Sequence, residues 1–461
     1  MHQYFLKTYT EKSLSSRLPP RKYSRKDGIA AACFKMILHT VLKGESFYSI
    51  AARYGVSVAR LLADNEIADP DLPIVGQSLV ILKPRRFYTV LQGDTPSSIA
   101  KKEGLSLRAL YRNNPSLLEN DTLYPGQTLV SSYEGQRLGR AESGGYAYTF
   151  LPPADFKKSL PYLSEANLFT YGFEGDGTLI PISPGDSPLL TEALHIGSTP
   201  ILVLSTLEAD GRFDSTRASA LFSSPEAIDR LISSLLSVMG EKGYRGVDVD
   251  FEFIPLKDKN GFLSFVGTLR RRLNAQGYTV AVALAPKTYA AQPGLLYESH
   301  DYGALGNAAD RLLLMTYEWG YACGPPGPIA PIGNVERVID YALTEIPKEK
   351  LLLGIPNYGY DWTLPYVKGN PRAVTLFPKD ALAIAARYGA EILFDEQAAS
   401  PYFYYTDEQG RAHVVHFEDA RSFDAKFRLL AKKGLAGFGV WTVMSPTPSL
   451  LLTANALFDL D

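Results

Sequence analysis

Residues 244–255 read YRGVDVDFEFIP, with Asp248, Asp250 and Glu252 alternating against Val247, Val249, Phe251 and Phe253. Successive side chains of a β-strand point to opposite faces, so the three carboxyl groups share one face and the four apolar groups the other. A solvent-facing acidic strand edge satisfies that pattern. So does a strand whose acids look into an enclosed site while its apolar face packs under helices. The surrounding chain decides between the two.

Seven further runs have the same apolar, β-rich character. In chain order all eight are YAYTFL (146–151), NLFTYGF (167–173), PILVLST (200–206), GVDVDFE (246–252), TVAVALA (279–285), RLLLMTY (311–317), LLLGIPNY (351–358) and AGFGVWT (436–442). Amphipathic helices lie between them. One is opened by Ser224 and carries Ile228, Leu231, Ile232, Leu235 and Leu236; another carries Phe262, Phe265, Val266, Leu269 and Leu273 and meets Gly277. Strands covered by helices are nearly continuously apolar, and eight strand–helix units predict an α/β fold, a (β/α)8 TIM barrel over residues 146–461. A doubly wound open sheet is the alternative. The span between the seventh and eighth runs is too long for one helix and holds a hairpin, YFYYTDEQGRAHVVHF (402–417), which predicts a small inserted α+β segment.

In such a barrel the chemistry lies at the C-terminal ends of the strands, so the acids of the fourth strand face the barrel axis with Glu252 at the exit. Crowded carboxylates resist simultaneous ionisation. Raising a glutamate above 6 takes about 2.7 kcal/mol, which a neighbouring aspartate and desolvation can supply, and a protonated glutamate in a cleft is a general acid.

The front of the chain is a tandem duplication. HTVLKGESFYSIAARYGVSVARLLADN (39–65) aligns with YTVLQGDTPSSIAKKEGLSLRALYRNN (88–114), and IVGQSLVI (74–81) with YPGQTLVS (124–131). Each unit reads strand, helix, helix, strand; the first helix of the second copy has Asp94 or Thr95 as its cap and stops at Gly104. The shared pattern G-[DE]-[ST]…IA…G…L…N…GQ.L resembles LysM modules, which implies binding of N-acetylglucosamine polymers such as peptidoglycan and chitin. The resemblance directs attention to Gly44, Glu45, Ser46, Gly93, Asp94 and Thr95. The expected organisation is a flexible extension (1–35), repeats at 36–84 and 86–132, a polar linker (133–145) and the barrel.

Composition narrows the rest. The 461 residues carry a net charge of −2, but residues 1–146 hold 20 Lys and Arg against 13 Asp and Glu, and the remainder 27 against 36. A basic front suits an anionic surface such as a cell wall, a membrane or nucleic acid; a solvated basic face with no partner accounts for it equally well. Two cysteines, Cys33 and Cys323, cannot build a disulfide framework. No apolar run is long enough to span a membrane, and Lys35 interrupts any signal-peptide core; Met1 and Met36 are both candidate starts. The six histidines are scattered, and the close pair His413 and His416 sits in the hairpin and is read as having no carboxylate or cysteine partner, so no metal or other cofactor is assigned. FEGDGTL (173–179) reads as a turn, and there is no G-x-S-x-G elbow.

The fourth strand resembles that of family-18 glycoside hydrolases, D-G-x-D-x-D-x-E, matched here at Gly246, Asp248, Asp250 and Glu252, with Arg245 where the family's first Asp usually sits. MTYEW (315–319) is similar to the family's sixth-strand M-x-Y-D with Glu318 in place of Asp, and Trp441 in GVWTV is placed like its eighth-strand tryptophan. The resemblance implies that Glu252 protonates the glycosidic oxygen, Asp250 accepts from the substrate's acetamido N–H, and Tyr317 donates to its carbonyl. It implies substrate contacts for Asp248, Met315, Glu318, Tyr358 and Trp441. With two LysM-like repeats, GIPNYGYDWTLPY (354–366) and HFEDARS (416–422), the chain is similar to spore-associated N-acetylglucosaminidases that degrade cortex peptidoglycan during germination. A chitinase fits the same residues, because chitin presents the same acetamido sugar. A wall-binding or spore structural protein with an inactive barrel is the non-enzymatic alternative.

Overall fold

A computed structural model describes residues 36–65, 67, 69–135, 137–207, 213–369 and 372–460. The extension expected over 1–35, with Cys33, lies outside the described residues. Among those described, no helix is long and apolar enough to cross a membrane.

Eight parallel strands, Glu142–Tyr148, Glu165–Phe173, Thr199–Ser205, Gly246–Asp250, Thr279–Leu284, Arg311–Leu314, Leu351–Pro356 and Gly437–Trp441, pair in sequence order. The eighth pairs with the first and the first with the second, which closes the barrel and excludes the open doubly wound sheet. Each apolar run of the sequence supplies one strand. The first begins at Glu142, ahead of the boundary expected at 146, so the end of the polar stretch read as linker is barrel. Gly145 misleads because it answers to crowding: a Cβ there would lie 2.6 Å from Leu163 Cδ1 and 2.9 Å from Val443 Cγ1. Gly139–Arg140, also in that stretch, pairs with Phe458–Asp459.

Two apolar layers follow from the strand alternation. Between strands and helices lies the large outer core, where Val247, Val249 and Phe251 are buried and Phe251 stacks on Phe265 with ring centroids 5.6 Å apart. Inside the barrel, Tyr146, Phe169, Val203, Leu313 and Leu352 form a separate cluster. Phe253 does not continue the alternation. It is only partly buried, at φ 57°, and meets Phe213 instead, because the strand has ended and the chain is turning out of the barrel.

The inserted segment, between the seventh and eighth strands, is a five-stranded antiparallel sheet with one helix, Pro378–Tyr388. Its first strand, Gly359–Leu364, leaves the mouth directly after the seventh barrel strand. Contrary to the expectation, His413 in this sheet has carboxylate neighbours, Asp361 at 2.9 Å and, from the same hairpin, Asp407 at 3.3 Å.

Each repeat forms two helices on a two-stranded antiparallel sheet, Ile37–Thr40 with Ser78–Ile81 and Pro84–Thr89 with Thr128–Tyr133. Thr95, rather than Asp94, caps the helix Pro96–Glu103, exchanging hydrogen bonds with Ser98; Ser46 does the same with Ser49. Both repeats lie against the barrel. Arg112, fully buried, donates to Pro161 O (2.8 Å) and Asn455 Oδ1 (3.1 Å), and the second repeat's core residues join the barrel's outer core.

Candidate active site

The fourth strand delivers its acids as the alternation requires. Asp248, Asp250 and Glu252 are all buried, with Glu252 two residues beyond the strand's last residue. Arg245, at the strand's other end, is exposed. Seven residues of extended chain put it roughly 20 Å behind Glu252 along the strand, so its charge bears little on the mouth.

The sixth and seventh strands complete the mouth. Met315, Tyr317 and Glu318 follow the sixth, and Gly354 in the seventh makes room for them: a Cβ there would lie 2.4 Å from Leu314 O and 2.9 Å from Tyr317 Cε1. Tyr317 is buried, and Met315 is buried in the outer core. Glu318 holds φ 68°, a left-handed conformation that a non-glycine residue adopts at some cost. Its Oε1 accepts from two phenols, Tyr358 Oη at 2.5 Å and Tyr360 Oη at 2.6 Å. Tyr358 lies on the exit from the seventh strand and Tyr360 on the first strand of the insertion, so the inserted segment builds part of the site.

Trp441 ends the eighth strand half-buried, edge-on to Phe169 at 5.0 Å and tilted against Tyr146 at 5.6 Å. Asn357 donates to Thr442 O at 2.9 Å and Ser445 O at 3.1 Å, fixing the backbone that follows the tryptophan.

Burial dominates the electrostatics. It pushes Glu252 up to about 7, with the nearby Glu318 carboxylate adding to the effect. Asp250 is raised well above the ordinary carboxylate range by burial and then by the charges of Glu252 and Asp248. Asp248 is pushed up to about 6 by burial, against the hydrogen bond that Tyr146 Oη donates to its Oδ2. Glu318 is raised by burial and pulled back by the Tyr358 and Tyr360 phenols. Near neutral pH the mouth therefore stores protons on carboxyl groups. Asp250 Oδ1 is a buried acceptor without a hydrogen-bond partner among the described residues, unusual for a buried polar atom and suited to a donor arriving with a substrate. An acid at the strand exit, a carboxylate with a free acceptor and a buried phenol are the parts needed to protonate a leaving oxygen and orient an amide.

The residues expected at this site, Asp248, Asp250, Glu252, Met315, Tyr317, Glu318, Tyr358 and Trp441, all lie on the C-terminal side of strands four, six, seven and eight. Sequence reasoning missed Tyr146 and Tyr360. Tyr146 was visible in YAYTFL as the inward-facing partner of Tyr148; Tyr360 sits in GIPNYGYDWTLPY, two residues after Tyr358 and so on the same face of an extended chain.

In the repeats, the named residues serve the turns and caps. Gly44 and Gly93 hold φ of 87° and 84°. Glu45 accepts from Leu42 N (2.9 Å) and pairs with His39 and Arg53; Asp94 accepts from Leu91 N and Tyr88 Oη, both at 2.8 Å, and pairs with Lys102.

Comparison with known proteins agrees with this geometry. The model of glycosyl hydrolases family 18 matches residues 209–445, and that of the LysM domain matches 39–82 and 88–132. The chain is 34% identical over 433 residues to the cortical fragment-lytic enzyme of Bacillus subtilis, covering 92% of this chain and 98% of that one. Its fold is similar to the crystal structure of the Bacillus megaterium spore cortex-lytic enzyme SleL, with TM-score 0.76, 33% identity and coverage of 92% and 98%. It is also similar to a chitinase from Chromobacterium violaceum, with TM-score 0.63, 26% identity and coverage of 68% and 98%.

Proposed function

Since the chain belongs to glycosyl hydrolase family 18 and carries two LysM domains, we propose that it is a retaining β-N-acetylglucosaminidase that hydrolyses peptidoglycan of the spore cortex, gripping the wall through its repeats. The observation that carries this reading is the buried Glu252 carboxyl at the barrel mouth, raised to about 7, beside an Asp250 whose Oδ1 is free to accept.

Glu252 donates its proton to the glycosidic oxygen as the C–O bond breaks. Asp250 accepts from the acetamido N–H and Tyr317 donates to the acetamido carbonyl, aligning that oxygen to attack the anomeric carbon. The sugar's own amide replaces the carboxylate nucleophile of other retaining enzymes, so an oxazolinium intermediate forms, and water opens it with retention as Glu252 takes the proton back. Asp248, held by Tyr146, shares protons with Asp250. Glu318, Tyr358 and Trp441 contact the sugar. Resemblance to enzymes acting on cortex and cortical fragments supports a spore or cell-wall location; the chitinase likeness rests on the shared acetamido sugar.

Mass spectrometry of reduced products tests the substrate and the bond together. Purified cortex fragments are expected to yield new N-acetylglucosamine reducing ends at a higher rate than chitin does. Muramic acid reducing ends, or faster turnover of chitin, would reject the assignment. Proton NMR of the first-formed anomer is expected to show β; α would exclude the substrate-assisted route.

A further inference from the structure

The two repeats share one frame. In the first, Gly76 N donates to Val41 O (2.8 Å) and Val41 N to Gln77 O (2.9 Å); in the second, Gly126 N donates to Val90 O and Val90 N to Gln127 O, both at 2.8 Å. In each copy these bonds clasp two turns side by side, the G-[DE] turn after the first strand and the GQ turn before the last.

What lies against those turns differs. In the first repeat the GQ turn is docked on the inserted segment of the barrel and on the start of the helix after it, Ala420–Lys433. Ile392 N donates to Val75 O (2.9 Å), Arg421 Nη2 donates to Gly76 O (3.1 Å), and Ile74 packs into the insertion's own core. A Cβ on Gly76 would lie 1.9 Å from Ile392 O. In the second repeat nothing lies within 4 Å of a Cβ on Gly126, and Tyr124, the counterpart of Ile74, is 64% exposed. On the adjoining turn, Leu91 is 58% exposed. This repeat meets the barrel through its other side, the helix Leu107–Asn113 that carries Arg112.

We propose that the second repeat is the glycan grip and that the first is a structural bracket, the GQ half of its turn pair being covered by the barrel. The occupant is a chain of N-acetylglucosamine-containing sugars, the polymer that the barrel cuts. Its ring faces and acetamido methyls are apolar, which suits the exposed tyrosine and leucine, and its hydroxyls reach the polar edge at Gln92. This rests on the reading of the repeats as glycan binders. One grip held rigidly on the barrel fixes the distance between the point of attachment and the bond cleaved, whereas two free repeats would bind by avidity.

Leu42 and Leu91 are equivalent by the duplication and equally exposed, at 59% and 58%, so they form a matched test. In the full chain carrying Glu252→Gln, so that the sorbent survives, retention on insoluble peptidoglycan is measured for Leu42→Ser, Leu91→Ser and Tyr124→Ser, with circular dichroism to show that each folds. The second-repeat variants are expected to raise the apparent Kd fivefold or more, and Leu42→Ser less than twofold. Equal losses, or a larger loss from Leu42→Ser, would overturn the unequal roles while leaving the repeats as binders. No loss from any of the three would overturn the reading of the repeats as the wall grip, and this proposal with it.

Discussion

On the proposed mechanism, Glu318 acts on the general acid through its charge. Tyr358 and Tyr360 both donate to its Oε1, which favours the ionised form, and that charge in turn favours the proton on Glu252. Around Glu252 the other titratable groups are Asp250 and Asp248 on its own strand, Tyr148 from the first strand and Tyr317 after the sixth. In Tyr360→Phe, Glu318 loses one donor and takes up a proton at higher pH; the repulsion on Glu252 weakens and its pKa falls. The alkaline limb of kcat/KM is therefore expected to move to lower pH, with a loss of about tenfold at pH 7, the scale of one charge-assisted hydrogen bond. An unshifted limb would show that the clamp only fills space. Tyr317→Phe removes a donor to the developing charge and is expected to lower kcat about a hundredfold with KM little changed.

The raised acid has a consequence for the fourth strand as a folded element. A carboxyl whose folded pKa exceeds its unfolded value stabilises below the unfolded value, and that stability is lost as pH rises through the folded one. For Glu252 the window runs from 4.5 to about 7, which corresponds to at most about 3–4 kcal/mol. Glu252→Gln is therefore expected to melt at a higher temperature than wild type at pH 8 and at the same temperature near pH 4.5; a variant no more stable at pH 8 would argue against a buried proton. Elements of this kind were legible in the sequence because two periodicities, two for strands and 3.6 for helices, dominate their burial. The fourth strand gave its inward face directly from Asp248, Asp250 and Glu252. Strand one was read late because Gly144 and Gly145 look like linker, whereas crowding by Leu163 and Val443 requires a glycine at 145. Tyr360 and the Tyr146 clamp on Asp248 were not legible as functional, because an aromatic residue in a strand signals burial and only the closed barrel brings it to a particular carboxylate.

Across the whole molecule, the repeats and the barrel share apolar core, so they do not behave as beads on a tether. Arg112 is fully buried with Pro161 and Asn455 as its acceptors, and removing one side of such a contact leaves polar groups without partners. Arg112→Ala is expected to cost about 3 kcal/mol in denaturant unfolding, and removal of residues 1–132 to lower the barrel's own melting temperature and promote aggregation by uncovering this face; a truncated barrel as stable as the full chain would show that the docking contributes nothing. The catalytic account rests on the proton held at the mouth. The most direct test is the rate of new N-acetylglucosamine reducing ends from purified cortex fragments at pH 6, comparing wild type with Glu252→Gln while monitoring fragment binding. We expect the variant to bind as tightly as wild type and to retain less than about 1% of its turnover; a variant that cleaves at an undiminished rate would contradict the account.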